Sequence, residues 1–170
     1  KTRSDTEVLL RLYIEEGVDF LKKLNGQFAI AIRDKKKDKL FLARDRIGIR
    51  PLFYYWRDYF FAFASEIKSL FTHPEVPRNL DPAAIDQVFT FWVPVADRTC
   101  FKNIRELPPG HFAEFANNHL EIKSYWSWPF SSHVSLLESP YPIEQERFVD
   151  NLRRSVELRL RADVEVGSYL

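Results

Sequence analysis

The spacing of apolar residues changes several times along the chain, and each change predicts an element. Ser4-Asp5-Thr6-Glu7 has the form of a capping box with Ser4 as N-cap. Val8, Leu9, Leu12 and Tyr13 follow at helical spacing, Gly17 ends the helix, and "VDFLKKL" predicts a second, shorter one. The period then shortens. "GQFAIAIRD" is apolar at every position from Phe28 to Ile32, which predicts a strand buried on both faces. "LFLARD", "PLFYYW" and "YFFAFAS" read as three more strands; "KKKDK" and Arg57-Asp58 supply charged turns. Four short strands with tight polar connections predict one antiparallel meander.

Helical spacing returns in "SEIKSLF", where Ser65 is the expected N-cap and Glu66 belongs in the first turn. "DPAAIDQVFTFW" is a stronger helix, with Asp81 as cap and Pro82 at its first position. "HFAEFA" and "HLEIKSYW" predict a hairpin, because Asn117-Asn118 tolerates left-handed turn geometry. From Trp128 to Pro142 the composition shifts to Ser, Pro and His and reads as a linker. "IEQERFVDNLRRSVELRLRAD" then carries Val149, Leu152, Val156 and Leu160 as one apolar stripe on a charged helix. Val164, Val166, Tyr169 and Leu170 predict a closing strand. The expected fold class is α+β: residues 1–127 form a first domain, 128–142 a linker, and 143–170 the start of a second.

Composition narrows the picture. The 170 residues are 45% apolar and 29% charged, enough for one core and part of another. A net charge of +1 gives no global reason to expect nucleic acid or a membrane as partner. The longest apolar runs fall far short of the roughly 20 residues that span a bilayer, and no signal-peptide pattern is present. A single cysteine, Cys100, excludes an internal disulfide framework and fits a reducing compartment, so a cytoplasmic location is expected. The 15 Phe, 7 Tyr and 4 Trp suit a core of packed sheets. Methionine is absent, so residue 1 is not a translation start, and the chain is expected to be a piece of a longer protein.

Candidate chemistry is sparse. "RDRIGIRPLFYY" crowds Arg44, Asp45, Arg46 and Arg50 around Gly48, and reads first as a tight turn with a surface ion-pair cluster. An anionic ligand or partner is the other reading of those arginines. Asp5, at the start of its helix, either favours the dipole or binds an ammonium group. Glu66 either supports its helix or helps fix a neighbouring site. His73, His111, His119 and His133 lack metal-ligand spacing, and no metal site is expected. Cys100 reads as a buried small apolar residue. No nucleophile elbow, P-loop or dinucleotide fingerprint occurs, so these residues contain no complete active site.

The order of the pieces is itself informative. "SDTEVLLRLY", "LNGQFAIAIRD", "LFLARDRIGIRPLFYY", "FASEIKSL", "ELPPGHF", "SYW" and "RLRADVEVGSYL" follow one another as in glutamine-hydrolysing asparagine synthetase, which the chain resembles over nearly its whole length. "RDRIGIRPLFYY" and the Asp-Thr-Glu element are shared with other class II glutamine amidotransferases. "FASEIKSL" with "ELPPGHF" looks more particular to the synthetase type, and the join to "ADVEVGSYL" more so again.

The resemblance implies a partial N-terminal-nucleophile hydrolase sandwich of antiparallel sheets between helices, followed by the first helix and strand of an α/β ATP-pyrophosphatase-type domain. In such enzymes a terminal cysteine hydrolyses glutamine, its thiol activated by its own α-amine. Ammonia then reaches a second domain, where ATP with Mg²⁺ activates aspartate, and asparagine, AMP and pyrophosphate form. Asp5 matches the aspartate that binds the α-amino group of glutamine. Leu170 matches the residue before the pyrophosphate loop and is the expected nucleotide contact. The cysteine, the arginine for the glutamine carboxylate and the Asn-Gly oxyanion element are expected upstream of residue 1, and the pyrophosphate loop downstream of residue 170. No catalytic residue is therefore expected within the chain, and it should be inactive alone. The arginines of "RDRIGIR" are assigned to architecture and the domain interface. Two alternatives stay open: a relative that builds a β-lactam or amidates another carboxylate, and a non-catalytic interaction module. Sheet edges left open would be covered by further chain or by a homodimer.

Overall fold

Helix α1 (Asp5–Glu16) starts at the expected cap, where the Ser4 hydroxyl accepts the Thr6 N–H at 3.3 Å. Gly17 ends it at φ 62°, a conformation that costs glycine least, and the chain continues as a 3₁₀ helix over Gly17–Lys23. The computed structural model describes residues 4–128 and 141–168. The chain divides into two compact units, Lys1–Trp128 and Pro129–Leu170.

Among the described residues of the first unit, seven strands follow: β1 (Ala29–Asp34), β2 (Lys39–Arg44), β3 (Phe53–Arg57), β4 (Phe60–Ala64), β5 (Ile104–Glu106), β6 (His111–Ala116) and β7 (His119–Ser124). Two short helices, α2 (Ile67–Leu70) and α3 (Pro82–Phe91), lie between β4 and β5. The strands do not form one meander. They make two antiparallel sheets, ordered β1-β2-β6-β7 and β4-β3-β5. The break falls between β2 and β3, where the carboxylate of Asp45 gathers the next N–H groups and turns the chain out of the first sheet. The edge of β2 thus vacated is taken by β6, with Leu42 opposite Ala113.

Residues opposed across an antiparallel pair share a face, and alternation splits each strand between two cores. Phe41, Ala43, Ile30 and Phe112 pack against Tyr13, Phe20 and Leu21 of the N-terminal helices. The other face of the same strands, with Leu42 and Ala113, meets Leu52, Leu107 and Phe61 from the second sheet. Phe61 stacks on Phe115 at 4.5 Å across this layer. Tyr55 and Ile104 point the opposite way, onto Leu70 and Val76. The layers run helix, sheet, sheet, helix, and the architecture is α+β with antiparallel sheets.

Several local expectations hold. Asp81 caps α3 through two backbone N–H groups and Pro82 sits in its first turn. Asn117 and Asn118, at φ 50° and 56°, close the β6–β7 hairpin. Others need correction. Strand β1 is not buried on both faces. Ile30 is buried, whereas Ala29 and Ala31 are exposed, because β1 ends its sheet and only one of its faces is covered. Helix α2 is capped at Glu66, not Ser65, and Glu66 pairs with Lys68 at 2.5 Å. Cys100 is half-buried, not buried.

In the second unit, α4 runs over Tyr141–Arg159. Its stripe of Val149, Leu152, Val156 and Leu160 is exposed. Among the described residues the closing strand is not formed: 161–168 have no strand structure. Val164 and Val166 alternate as a strand would, but the unit offers no described strand to pair with them, and a strand without a ladder leaves its backbone groups to water. Leu170 lies outside the described residues, as does the greater part of the expected linker, 129–140.

Candidate functional site

Two arrangements in the first unit bear on function: a buried knot after β2 and a cleft beside α1. The knot forms from sequence landmarks that lie far apart along the chain. Asp45 is 1% exposed. Its Oδ1 accepts from Ile47, Gly48 and Ile49 at 3.2, 2.7 and 3.0 Å. Its Oδ2 accepts from Phe28 and Arg50 at 3.2 and 3.0 Å. Burial alone pushes the Asp45 carboxyl up, but the N–H groups of Arg50, Ile49, Phe28 and Gly48 outweigh it and hold the group below its usual range.

Arg44 is 5% exposed and ties the two sheets together. Its guanidinium donates to the carbonyls of Arg50, Leu107 and Gly48 at 2.9, 2.8 and 2.7 Å, and pairs with Glu106 at 2.8 Å. Gly48 sits at φ 75°, and a Cβ there would come within 2.7 Å of Pro109. Gly110 donates its N–H to the Asp45 carbonyl at 2.9 Å. The Tyr125 hydroxyl closes the knot on the Arg44 carbonyl at 2.8 Å. Burial pushes that phenol up to about 12, and the Arg46 charge draws it back only in part. "LNGQF", "RDRIGIR", "ELPPGHF" and "SYW" thus converge on one point. The expected surface ion-pair cluster is corrected here. Arg44 and Asp45 are buried and fully engaged, because each satisfies backbone groups that the sharp turn would otherwise orphan.

The cleft beside α1 has a volume of about 320 Å³. Asp5, Val8 and Leu9 line one side, and the segment Leu24–Phe28 lines the other. Asp5 is the first residue of α1 and is exposed. Its carboxylate makes no hydrogen bond or ion pair with any described residue. An open carboxylate against an apolar wall can take a primary ammonium group, which brings charge and three N–H donors. A larger cleft of about 650 Å³ lies by the β3–β4 turn, around Tyr55, Tyr59 and Pro77. None of the expected site residues borders it, and its Arg57 already pairs with Asp58 at 3.5 Å.

The structure places Asp5 in a cleft and leaves Leu170 undescribed, so the two expected site residues are not brought together. Glu66 stands apart from both arrangements, at the start of α2. Among the described residues, no three His, Cys, Asp or Glu side chains gather as a metal site. No described helix is long and apolar enough to cross a membrane. Sequence reasoning missed Leu24–Phe28 as a cleft wall. The polar Asn25-Gly26-Gln27 step between a helix and strand β1 was its signal.

Residues 1–126 match the family described as the glutamine amidotransferase domain. The chain is 39% identical over its whole length to asparagine synthetase [glutamine-hydrolyzing] 2 of Bacillus subtilis (strain 168), covering 24% of that protein. It is 36% identical over 98% of its length to the synthetase numbered 3 of the same organism, covering 27% of it. It is also 31% identical over 98% of its length to the amidase chyE of Penicillium rubens, covering 24% of that protein. The chain thus spans about a quarter of the length of these relatives.

Proposed function

We propose, from the premise that this chain belongs to the glutamine amidotransferase domain family, that its first unit binds glutamine in the Asp5 cleft as part of an asparagine-forming enzyme. The observation that carries this reading is Asp5 itself. It is a carboxylate with no described partner at the rim of a partly apolar cleft, suited to the α-amino group of an amino acid. The helix–sheet–sheet–helix order supports an N-terminal-nucleophile hydrolase domain. On this reading the whole protein cleaves the glutamine amide with a cysteine upstream of residue 1. It then amidates aspartate activated by ATP and Mg²⁺, and releases AMP and pyrophosphate. Among the described residues, no three His, Cys, Asp or Glu side chains gather to hold that Mg²⁺. Residues 1–170 alone should not turn over glutamine or exchange pyrophosphate with ATP.

Likeness to an amidase at 31% identity keeps a second reading in view, in which the acceptor is a carboxylate other than aspartate. Product analysis with aspartate as sole acceptor separates the two. For the site, Asp5→Asn in the complete protein should raise the KM for glutamine about ten- to a hundredfold, the cost of losing a charge-assisted contact. An unchanged KM would remove Asp5 from the site.

A further inference from the structure

The segment Leu24–Phe28 forms one wall of the Asp5 cleft. Within it, the N–H and C=O groups of Asn25, Gly26 and Gln27 bond to no other described residue. The wall is therefore held at its two ends. At one end, Arg46 Nη2 donates to the Lys22 carbonyl at 2.8 Å, in the last turn of the 3₁₀ helix. At the other, Asp45 receives the Phe28 N–H at 3.2 Å and returns its own N–H to the Phe28 carbonyl at 2.9 Å. Two consecutive residues thus pin both ends. Asp45 also has a second task in shaping its own turn. Arg46 has none of that kind: its one described hydrogen bond reaches Lys22, two residues before the wall, and its Nε has no described partner.

We infer that Arg46 is a positioning residue for the glutamine site, fixing the Leu24–Phe28 wall against Asp5 by holding the Lys22 carbonyl while Asp45 holds Phe28. This rests on the cleft being the glutamine site. Arg46 touches no substrate in this arrangement and acts through the wall. Loosening one end lets the wall sample positions away from Asp5, which weakens binding before it slows chemistry.

The test uses the complete protein with Arg46→Met and Arg46→Lys. Two readouts are needed: backbone hydrogen exchange, and the separate KM and kcat for glutamine hydrolysis. Arg46→Met should speed exchange about tenfold at the bonded N–H groups of Leu24 and Phe28 and leave α3 as in the wild type. It should raise the KM for glutamine about tenfold with kcat within about threefold. Arg46→Lys keeps a donor for the Lys22 carbonyl and should restore both. Wild-type exchange and KM in Arg46→Met would overturn the inference, as would a lysine variant no better than the methionine one. Faster exchange spread equally through α3 would make Arg46 a general stabiliser and also overturn it. If the wild-type protein fails to consume glutamine, the proposed function falls, and the exchange pattern still decides whether Arg46 pins the wall.

Discussion

Asp5 and Asp45 both border the Leu24–Phe28 segment, yet they stand in opposite chemical conditions. Asp45 is buried and takes five backbone N–H groups, from Phe28, Ile47, Gly48, Ile49 and Arg50. Asp5 is exposed at the rim of a cleft, with no described partner. A carboxylate whose lone pairs are filled by its own backbone has nothing left for a ligand, so its contribution goes to shape. An open carboxylate contributes little to shape and is available to a ligand. The difference gives the motif richest in charge to architecture, and leaves the sparser one open to the binding role proposed for it.

The sharpest break of this comparison is Asp45→Ala. It removes the acceptor of five part-buried N–H groups, and we expect a loss of about 3–5 kcal/mol in chemical denaturation. A loss below about 1 kcal/mol would mean that the turn holds itself. Acid gives an independent reading. Because its carboxyl titrates lower in the fold than the roughly 3.9 of an unfolded aspartate, its contribution is complete above that value. It fades as pH falls through the lower, folded value. Wild-type stability should drop more steeply below about pH 4 than that of Asp45→Asn, which has no carboxylate to protonate there. Parallel acid slopes would contradict the assignment.

Gly48→Ala probes the same knot with a smaller change. The backbone is at φ 75°, and the added methyl would meet Pro109 at 2.7 Å. We expect a loss of about 1–3 kcal/mol from strain and crowding together. Thermal unfolding that matched the wild type would show that Pro109 yields easily.

What could be read from residues alone follows the same division. Ser4, Asp81 and the Asn117-Asn118 turn act on neighbours within a few positions, so α1, α3 and the β6–β7 hairpin were legible. The split into two sheets was not. It depends on Asp45 reaching Phe28, 17 residues back, and on Arg44 reaching Leu107, 63 residues on. Charged residues beside a glycine usually mean an exposed turn, and nothing in "RDRIGIR" announces that two of them are buried. β5, only three residues long, lacks the alternation that would mark it; it exists because β3 offers it an edge. Residues 161–168 show the converse, strand-like alternation without a described neighbour to make it a strand. The role proposed for Asp5 rests at the sequence level on resemblance, because a lone acid at a helix start is explained equally well by the dipole.

Asp5→Ala should have the smallest effect on folding, and that smallness is the point. The side chain is exposed, makes no described hydrogen bond, and sits where it can only favour the N-terminal dipole of α1. Such contributions reach about 0.3–1 kcal/mol and shrink with salt. We expect a loss under about 1 kcal/mol, smaller still in about 0.5 M salt, beside the several kcal/mol for Asp45→Ala. A loss of about 2 kcal/mol or more, insensitive to salt, would place Asp5 among the structural carboxylates and erase the contrast. A small loss leaves the residue without an adequate structural reason, and its position in the cleft then becomes the explanation that glutamine binding must meet.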